Sequence, residues 1–273
     1  MAHSKKLLLA LAMSSVALLS APAQAMVITY GGQAATDGSG LTSAFIPASN
    51  TGLASGWFVE TFDPLTAAPD DTPLTSSTSD IYIQSGCSVN AGGGGMVNIT
   101  TTGGGFGVQQ GTTFSGAAPA GDGTCYGFGP RPGSGTTSAT VKVDYSPLLA
   151  LSPGVNITYL GLYYGSIDTY NDIWLYDGDT VIRKILGADV LANFGGTSGN
   201  QLEPGSNVYV NFAFAPEDGF TGYEFRTTNI AFEVDNVVVG LSNRAEVPEP
   251  GSLALLGAGL LGFAAMRRRQ RQG

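Results

Sequence analysis

The sequence predicts an all-β protein whose body is an antiparallel two-sheet β-sandwich of jelly-roll type. Forty glycines and a charged fraction of only 12% favour turns and strands over helices. Short apolar runs alternate with turn residues along most of the chain, which is typical of a sandwich built from many short strands. Apolar segments at the two ends predict, in addition, an N-terminal signal peptide helix and a C-terminal transmembrane helix.

The N-terminal segment has the three parts of a secretory signal peptide. Two lysines precede an uncharged apolar run at residues 7–19, and Ala23 and Ala25 provide the small side chains of a cleavage site. Cleavage is predicted after Ala25, so that residues 1–25 are the signal peptide. The exported ectodomain is then residues 26–246.

The first half of the ectodomain predicts short strands joined by loops rich in Gly, Ser, Thr and Asp. These strands are expected at residues 27–30, 57–62, 81–83 and 97–102. Residues 103–135 contain few apolar side chains, and we expect them to be irregular or to form long hairpins.

The second half has clearer strand patterns. Strands are predicted at residues 140–145, 157–164, 173–176, 181–186, 208–214, 223–226 and 230–241. An Asp-Gly pair at Asp177 and Gly178 separates two of them and predicts a hairpin. Residues 188–194 predict one short helix. At Asn236 the alternation of the last strand gives way to three valines, which indicates burial on both faces or a β-bulge.

Cys87 and Cys125 are the only cysteines. Export places them in an oxidising compartment, so we expect them to form a disulfide. A reactive thiol or a metal pair is the less favoured alternative, since no second pair and no neighbouring histidine supports it.

The charge of the ectodomain is strongly negative. Once the two end segments are excluded, 6 of the 12 basic residues and 20 of the 21 acidic residues remain, which gives a net charge near −14. Such a balance argues against nucleic acid or an anionic glycan as a partner. It is compatible with divalent cations.

The C-terminal segment, residues 247–273, has an ordered arrangement. An extended, non-helical segment comes first and consists of Val247, Pro248, Glu249 and Pro250. The two prolines fix φ and lack a backbone N–H donor, so this segment precedes the helix and is not part of it. The next 16 residues, 251–266, are uncharged and would span ~24 Å as a helix. A basic cluster follows, which we expect to stay on the cytoplasmic side of the membrane and consists of Arg267, Arg268, Arg269 and Arg271.

This order resembles the sorting signal of PEP-CTERM proteins of Gram-negative bacteria. The resemblance implies recognition by an exosortase, an integral-membrane cysteine protease-transpeptidase, and delivery of the body to the cell surface or extracellular matrix. Residues 159–171 and 231–237 also resemble a β-sandwich body found on PEP-CTERM surface proteins. The last strand is similar to that of jelly-roll carbohydrate-binding modules, where an Asp-Asn step precedes Val or Ile.

Several kinds of catalytic site are excluded. The only histidine, His3, lies in the signal peptide, so the ectodomain has no Ser-His-Asp triad, no Cys-His pair and no imidazole-based metal site. The glycine runs lack the Lys-Ser/Thr ending of a phosphate-binding loop, and no βαβ unit supports a dinucleotide fold.

Carboxylates are the remaining side chains that could form a functional site. A Ca²⁺ site is considered at Asp168, Asp172 and Asp235, since hard cations prefer oxygen ligands. Their spacing does not match an EF-hand loop. A structural role for Asp235, bracing the final strand, is the favoured alternative to a ligand role.

The sequence therefore predicts an exported, non-enzymatic surface or matrix protein, associated with exopolysaccharide in a biofilm. Two other functions stay open: a carbohydrate-active hydrolase that uses an acidic pair, and a Ca²⁺-dependent glycan-binding adhesion module. Sugar binding would use aromatic side chains exposed on a sheet face, although each is more often part of a core. The candidates are Trp57, Tyr163, Tyr164, Tyr170, Trp174 and Tyr176.

Overall fold

The computed structural model describes residues 26–64 and 72–243. Strands account for 43% and helices for 9%, which confirms the all-β class. The signal peptide with Ala23 and Ala25, the sorting motif, the basic cluster and both predicted end helices lie outside the described residues. Within the described ranges, none of the helices combines the length and apolarity needed to cross a bilayer.

The described residues form fifteen strands and two α-helices. The strands are β1 (Val27–Tyr30), β2 (Gln33–Ala34), β3 (Leu41–Thr42), β4 (Trp57–Glu60), β5 (Ile81–Ile83), β6 (Asn98–Gly103), β7 (Phe106–Gln110), β8 (Cys125–Gly129), β9 (Ala139–Asp144), β10 (Val155–Gly165), β11 (Asn171–Asp177), β12 (Thr180–Leu186), β13 (Val208–Ala213), β14 (Gly222–Thr227) and β15 (Phe232–Asn243). The helices are α1 (Ser146–Ala150) and α2 (Gly187–Phe194), and short 3₁₀ turns occur at Pro204–Ser206 and Pro216–Asp218.

Two large sheets account for most of these strands. The eight-stranded sheet has the order β1-β13-β10-β15-β8-β7-β5, with β4 also paired to β15. The five-stranded sheet has the order β12-β11-β14-β9-β6, and β2 pairs with β3 in a small separate sheet. All neighbours are antiparallel except β5 and β7, which are parallel. The expectation of a purely antiparallel arrangement is therefore wrong at this one edge.

The inner faces of the two large sheets share one apolar core. Alternate residues of β9 and β14, such as Val141 and Phe225, face β10 and β15, where Leu160 and Phe232 are buried. The rings of Phe225 and Phe232 lie 5.5 Å apart. This packing removes the apolar side of each sheet from water, which is the main stabilising contribution to such a fold.

A second, smaller core lies on the outer face of the eight-stranded sheet. The segment before β4 covers this face, and its Ile46 packs with the tyrosines that point outward from β10 and β13. The hydroxyl of Tyr159 donates a hydrogen bond to Oδ1 of Asn211 at 2.5 Å. The sheet is consequently buried on both sides, which explains why β10 reads as a continuous apolar and aromatic run.

Strand β15 lies near the centre of the larger sheet and is divided in its pairing. Its first part, Phe232 to Val234, pairs with β8, and its later part, Val237 to Gly240, pairs with β4. At the division, Asn236 has φ of 46° and the register with β10 shifts. The bulge predicted at Asn236 is thus confirmed.

Most of the predicted strands and the hairpin at Gly178 are confirmed. The predicted short helix is α2, which ends at Gly195 in the left-handed conformation with φ of 67°. Strands β2 and β3 and helix α1 were not predicted, whereas β7 and β8 form a long antiparallel hairpin within residues 103–135, one of the two alternatives expected there. A disulfide joins Cys87 to Cys125, the first residue of β8, as expected.

Candidate functional site

The three aspartates predicted to share a metal do not form one site. The pKa of Tyr163 is raised by burial and then by Asp122 and Asp235, whereas Asp172 and Asp168 act on Tyr164. Asp172 lies on β11 of the five-stranded sheet, Asp168 lies in the turn between β10 and β11, and Asp235 lies within β15 of the eight-stranded sheet. Over the described residues, no group of three or more Asp, Glu, Cys or His side chains could hold a metal ion.

Asp172 has a local structural role instead. It is half-buried on β11, and its Oδ1 accepts a hydrogen bond from the backbone N–H of Gly187 at 3.3 Å. Gly187 begins α2 at a point where a Cβ would lie 2.2 Å from the carbonyl oxygen of Asp168. The carboxylate therefore holds the start of α2 against the turn that precedes β11.

Asp168 lies in a polar pocket together with Glu233. The pocket has a volume of about 200 Å³, and most of its wall is polar. Turns after β7, β10 and α2 meet there at the first residues of β15. The wall is formed by Thr113, Phe114, Gly116, Ala117, Ser166, Asp168, Tyr170, Gly199, Gln201, Ile230, Ala231 and Glu233.

Glu233 is held at the floor of this pocket and is only 3% exposed. Its Oε1 accepts a hydrogen bond from the backbone N–H of Ala117 at 3.0 Å, and its Oε2 accepts one from the hydroxyl of Ser166 at 2.7 Å. Burial raises the pKa of Glu233 to about 8, against the opposing effect of these two bonds, and the charge of Asp168 adds to the rise. Glu233 is therefore mostly protonated at neutral pH.

Asp168 is also enclosed, since it is only 7% exposed. Its Oδ1 accepts a hydrogen bond from the hydroxyl of Ser198 at 2.8 Å. A Cβ at Gly199 would lie 2.8 Å from the same oxygen, so the glycine allows the loop to close over the carboxylate.

The rim of the pocket carries an aromatic side chain in water. Phe114 is 91% exposed, and the half-buried Tyr170 donates a hydrogen bond from its hydroxyl to the carbonyl of Ile230 at 2.8 Å. A second pocket of about 290 Å³ adjoins the first, shares Phe114 and Ile230 with it, and includes Arg131. The two pockets form one groove with Phe114 between them, which we call the Phe114 groove.

Sequence reasoning identified only part of this groove. Glu233 and Asp168 were recognised as carboxylates of the second half, but nothing in the spacing indicated that they meet. Phe114 lies in a Gly/Ser/Thr-rich stretch and has no large apolar residue next to it in the sequence. This isolation could have indicated that its ring is exposed to water.

The aromatic candidates are mostly structural. Tyr163, Tyr164 and Tyr176 are buried, as expected of core residues. Trp174 is half-buried on the outer face of the five-stranded sheet beneath Lys184, whose ammonium lies 3.7 Å from the ring centroid, and Arg226. Of the six candidates, only Tyr170 contributes to the Phe114 groove.

Comparison with known proteins identifies the C-terminal segment. The protein belongs to the class of proteins that combine an all-β body with a C-terminal sorting signal. The PEP-CTERM protein-sorting motif matches residues 246–269, less than a tenth of the 273-residue chain. The chain therefore carries a PEP-CTERM signal, which implies export, processing by an exosortase and surface localisation in a bacterium. No curated protein and no solved structure matches the chain.

Proposed function

We propose that this exported protein is a non-enzymatic component of the cell surface or extracellular matrix that binds exopolysaccharide in a biofilm through the Phe114 groove. The observation that carries the proposal is the groove itself, in which a water-exposed aromatic ring separates two small pockets. Each pocket is below the 300–1,000 Å³ usual for drug-sized ligands, and a single sugar ring is a ligand of suitable size.

The chemistry of the groove suits a neutral or weakly polar sugar chain. Its walls offer hydroxyl, amide and carboxyl groups that can hydrogen-bond to sugar hydroxyls, among them Thr113, Gln201 and Ser134. The exposed ring of Phe114 can stack on the apolar face of a pyranose. Two pockets on either side of one ring favour consecutive units of a chain over an isolated small molecule.

The arrangement of the two acids favours binding over catalysis. A glycosidase needs two carboxyl groups that flank the scissile bond. Here both oxygens of Glu233 already accept hydrogen bonds from the protein, and both acids are nearly enclosed. A substrate would have to displace these bonds before a proton could be transferred.

A carbohydrate-active hydrolase is the second candidate, and one observation favours it. The pKa of Glu233, raised to about 8 by burial, is a property expected of a general acid, and a second carboxyl group, that of Asp168, lies in the same pocket. Release of reducing ends from a polysaccharide, abolished in Glu233→Gln, would establish this alternative.

Removing the exposed ring should weaken glycan binding. Phe114→Ala is expected to lower the affinity of the exported protein for its exopolysaccharide about tenfold, because ring stacking contributes about 1.4 kcal/mol. Isothermal titration with polysaccharide fractions would measure the change. Phe45→Ala is the matched control, since Phe45 is 63% exposed but lies against Tyr159, away from the groove. Equal affinities for all three proteins would refute the assignment of the groove.

The sorting signal makes a separate prediction. Two changes should leave the protein in the cell-associated membrane fraction: Glu249→Ala, and replacement of the basic cluster by glutamines. The reason is that an exosortase substrate needs both the sorting motif and the basic cluster that follows the apolar segment. Immunodetection on intact cells would measure surface delivery. Glu217→Ala, at an exposed glutamate of the body, should be delivered normally. Unchanged delivery of the motif variants would overturn exosortase-dependent sorting.

We propose signal cleavage after Ala25, a Gram-negative host, and at least transient insertion of residues 251–266 as a membrane helix. The two face-packed sheets support a jelly-roll-like sandwich for the body.

A further inference from the structure

The two pockets of the Phe114 groove differ in charge. Among the described residues that form its wall, the first pocket has two acidic side chains, Asp168 and Glu233, and no basic one. The wall of the second pocket, whose volume is about 290 Å³, includes Arg131 and no acidic side chain from the same part of the chain. The groove therefore has an acidic end and a basic end, with the ring of Phe114 between them.

Arg131 is isolated from other charges in the sequence and in the structure. Residues 26–130 contain no Lys, Arg or His, and the next basic residue is Lys142. Two ion pairs occur among the described residues, at Lys142 and at Arg226, and neither includes Arg131. Within the same ranges, its guanidinium makes one hydrogen bond, from Nη1 to the carbonyl oxygen of Pro132 at 3.2 Å. A guanidinium carries five N–H donors, so most of them are available to a ligand.

The position of Arg131 is fixed by its neighbours before any ligand binds. Its backbone N–H donates a hydrogen bond to the carbonyl oxygen of Gly104 at 3.0 Å, and its own carbonyl oxygen accepts one from the backbone N–H of Ser134 at 3.3 Å. A Cβ at Gly105 would lie 3.2 Å from Cδ and 3.3 Å from Nε of Arg131, so the glycine leaves room for this side chain. Arg131 is half-buried. A side chain held in this way loses little freedom on binding, which favours affinity.

Hydroxyl groups share the second pocket with the guanidinium. They belong to Ser115, Ser134, Thr136 and Thr137. A hydroxyl can donate a hydrogen bond to an oxyanion or exchange hydrogen bonds with a sugar hydroxyl. An arginine that has hydroxyls beside it and no carboxylate in the same wall suits a sugar unit that carries one negatively charged group.

The net charge of the ectodomain limits how many such groups the glycan can carry. The 6 basic and 20 acidic residues give a net charge near −14, which repels a polymer with a charge on every unit. One arginine compensates one oxyanion. A largely neutral chain with isolated anionic substituents satisfies both conditions.

We propose that the second pocket of the Phe114 groove binds an anionic sugar unit through a carboxylate or phosphate group on Arg131, while the first pocket binds a neutral unit of the same chain. This inference rests on the proposed glycan-binding function and narrows the ligand to a largely neutral polysaccharide with isolated oxyanions. The guanidinium forms two parallel N–H···O bonds to such a group. Because the first pocket offers no positive charge, the groove also fixes the direction in which the chain binds.

Chemical removal of the charge from the glycan tests this ligand class. The full-length exported protein would be titrated calorimetrically with the polysaccharide fractions used for Phe114→Ala, before and after treatment. Reduction of carboxyl groups to alcohols removes carboxylates, and hydrolysis of phosphate esters removes phosphates. One of the two treatments should weaken binding about tenfold and would identify the oxyanion. Unchanged binding after both treatments would overturn the proposal.

Substitution of Arg131 tests the site. Arg131→Gln should bind the untreated fraction about tenfold more weakly than the wild type, and treatment should cause no further loss. Arg131→Lys should recover part of the affinity, since lysine keeps the charge but not the planar fork. Arg183→Gln, at an exposed arginine of β12, is the matched control and should respond to treatment as the wild type does. Equal sensitivity of Arg131→Gln and the wild type to treatment would place the oxyanion elsewhere and would reject the assignment.

Titration with single sugars keeps this test separate from that of the proposed function. Glucuronate or glucose 1-phosphate, but not glucose, should shift one arginine Nε–H signal in the NMR spectrum, and that signal should be missing from Arg131→Gln. If the shift occurs while Phe114→Ala leaves polysaccharide binding unchanged, the proposed function fails and the anion site stands. If Phe114→Ala weakens binding while neither charged sugar shifts the Arg131 signal, the groove stands and the anion site fails.

Discussion

Replacement of Cys87 and Cys125 by alanine is expected to lower the free energy of unfolding by about 4 kcal/mol. The disulfide closes a loop with a sequence separation of 38 residues, and the chain-entropy relation gives this magnitude for such a loop. The loop contains β6 and β7 and the glycine run before them, so the unfolded chain gains much freedom when the bond is absent. Urea denaturation of the wild type and the double variant would measure the loss.

Reduction of the wild-type protein provides an independent form of the same experiment. Denaturation in the presence of dithiothreitol should reproduce the loss seen in the double alanine variant, and dithiothreitol should leave that variant unchanged. A loss below about 1 kcal/mol would mean that the loop is already restricted in the unfolded chain, contrary to the expectation.

The stability of the protein is expected to fall as the pH rises from about 4.5 to 8, with Glu233 as a main cause. Its pKa is about 8 in the folded protein and near 4.5 when unfolded, so over this interval the folded state binds more protons than the unfolded state. The free energy of unfolding therefore decreases with pH, by up to about 5 kcal/mol for this one group. Below pH 4.5 the group is protonated in both states and contributes no slope.

Glu233→Gln isolates this contribution. Glutamine can accept the hydrogen bond from Ala117 and donate one to Ser166, but it cannot ionise. The variant and the wild type should be about equally stable at pH 4.5, whereas the variant should be the more stable at pH 8.5. Chemical denaturation at a series of pH values would measure the difference, with Glu217→Gln as an exposed control. Parallel pH profiles for Glu233→Gln and the wild type would contradict the burial of a protonated carboxyl.

Local patterns were sufficient to predict most of the strands. The alternation in β9 and the Asp-Gly turn between β11 and β12 depend on neighbouring residues only, so they can be read from the sequence. Within residues 103–135, where a long hairpin was one of two alternatives, the bounds of β7 and β8 could not be predicted, because glycines pack against the large rings there. A Cβ at Gly107 would lie 2.4 Å from the ring of Phe128, and one at Gly127 would lie 2.7 Å from that of Phe106. These glycines look like loop residues until the packing is known.

The Phe114 groove could be identified only from the tertiary structure. The predicted partners Asp168 and Asp172 are closer in the sequence to each other than to Asp235. They lie on different elements, with Asp168 in the turn after β10, Asp172 on β11 of the five-stranded sheet and Asp235 on β15 of the eight-stranded sheet.

The position of β15 affects how the protein can withstand a mechanical load. This strand ends at Asn243, three residues before the sorting motif begins, and it is held along its length by β10 on one side and by β8 and β4 on the other. When the residues beyond Asn243 are attached to a surface and flow pulls on the body, the force enters along the axis of β15. The ladder hydrogen bonds, which run perpendicular to the strands, are then loaded together in shear instead of opening one at a time.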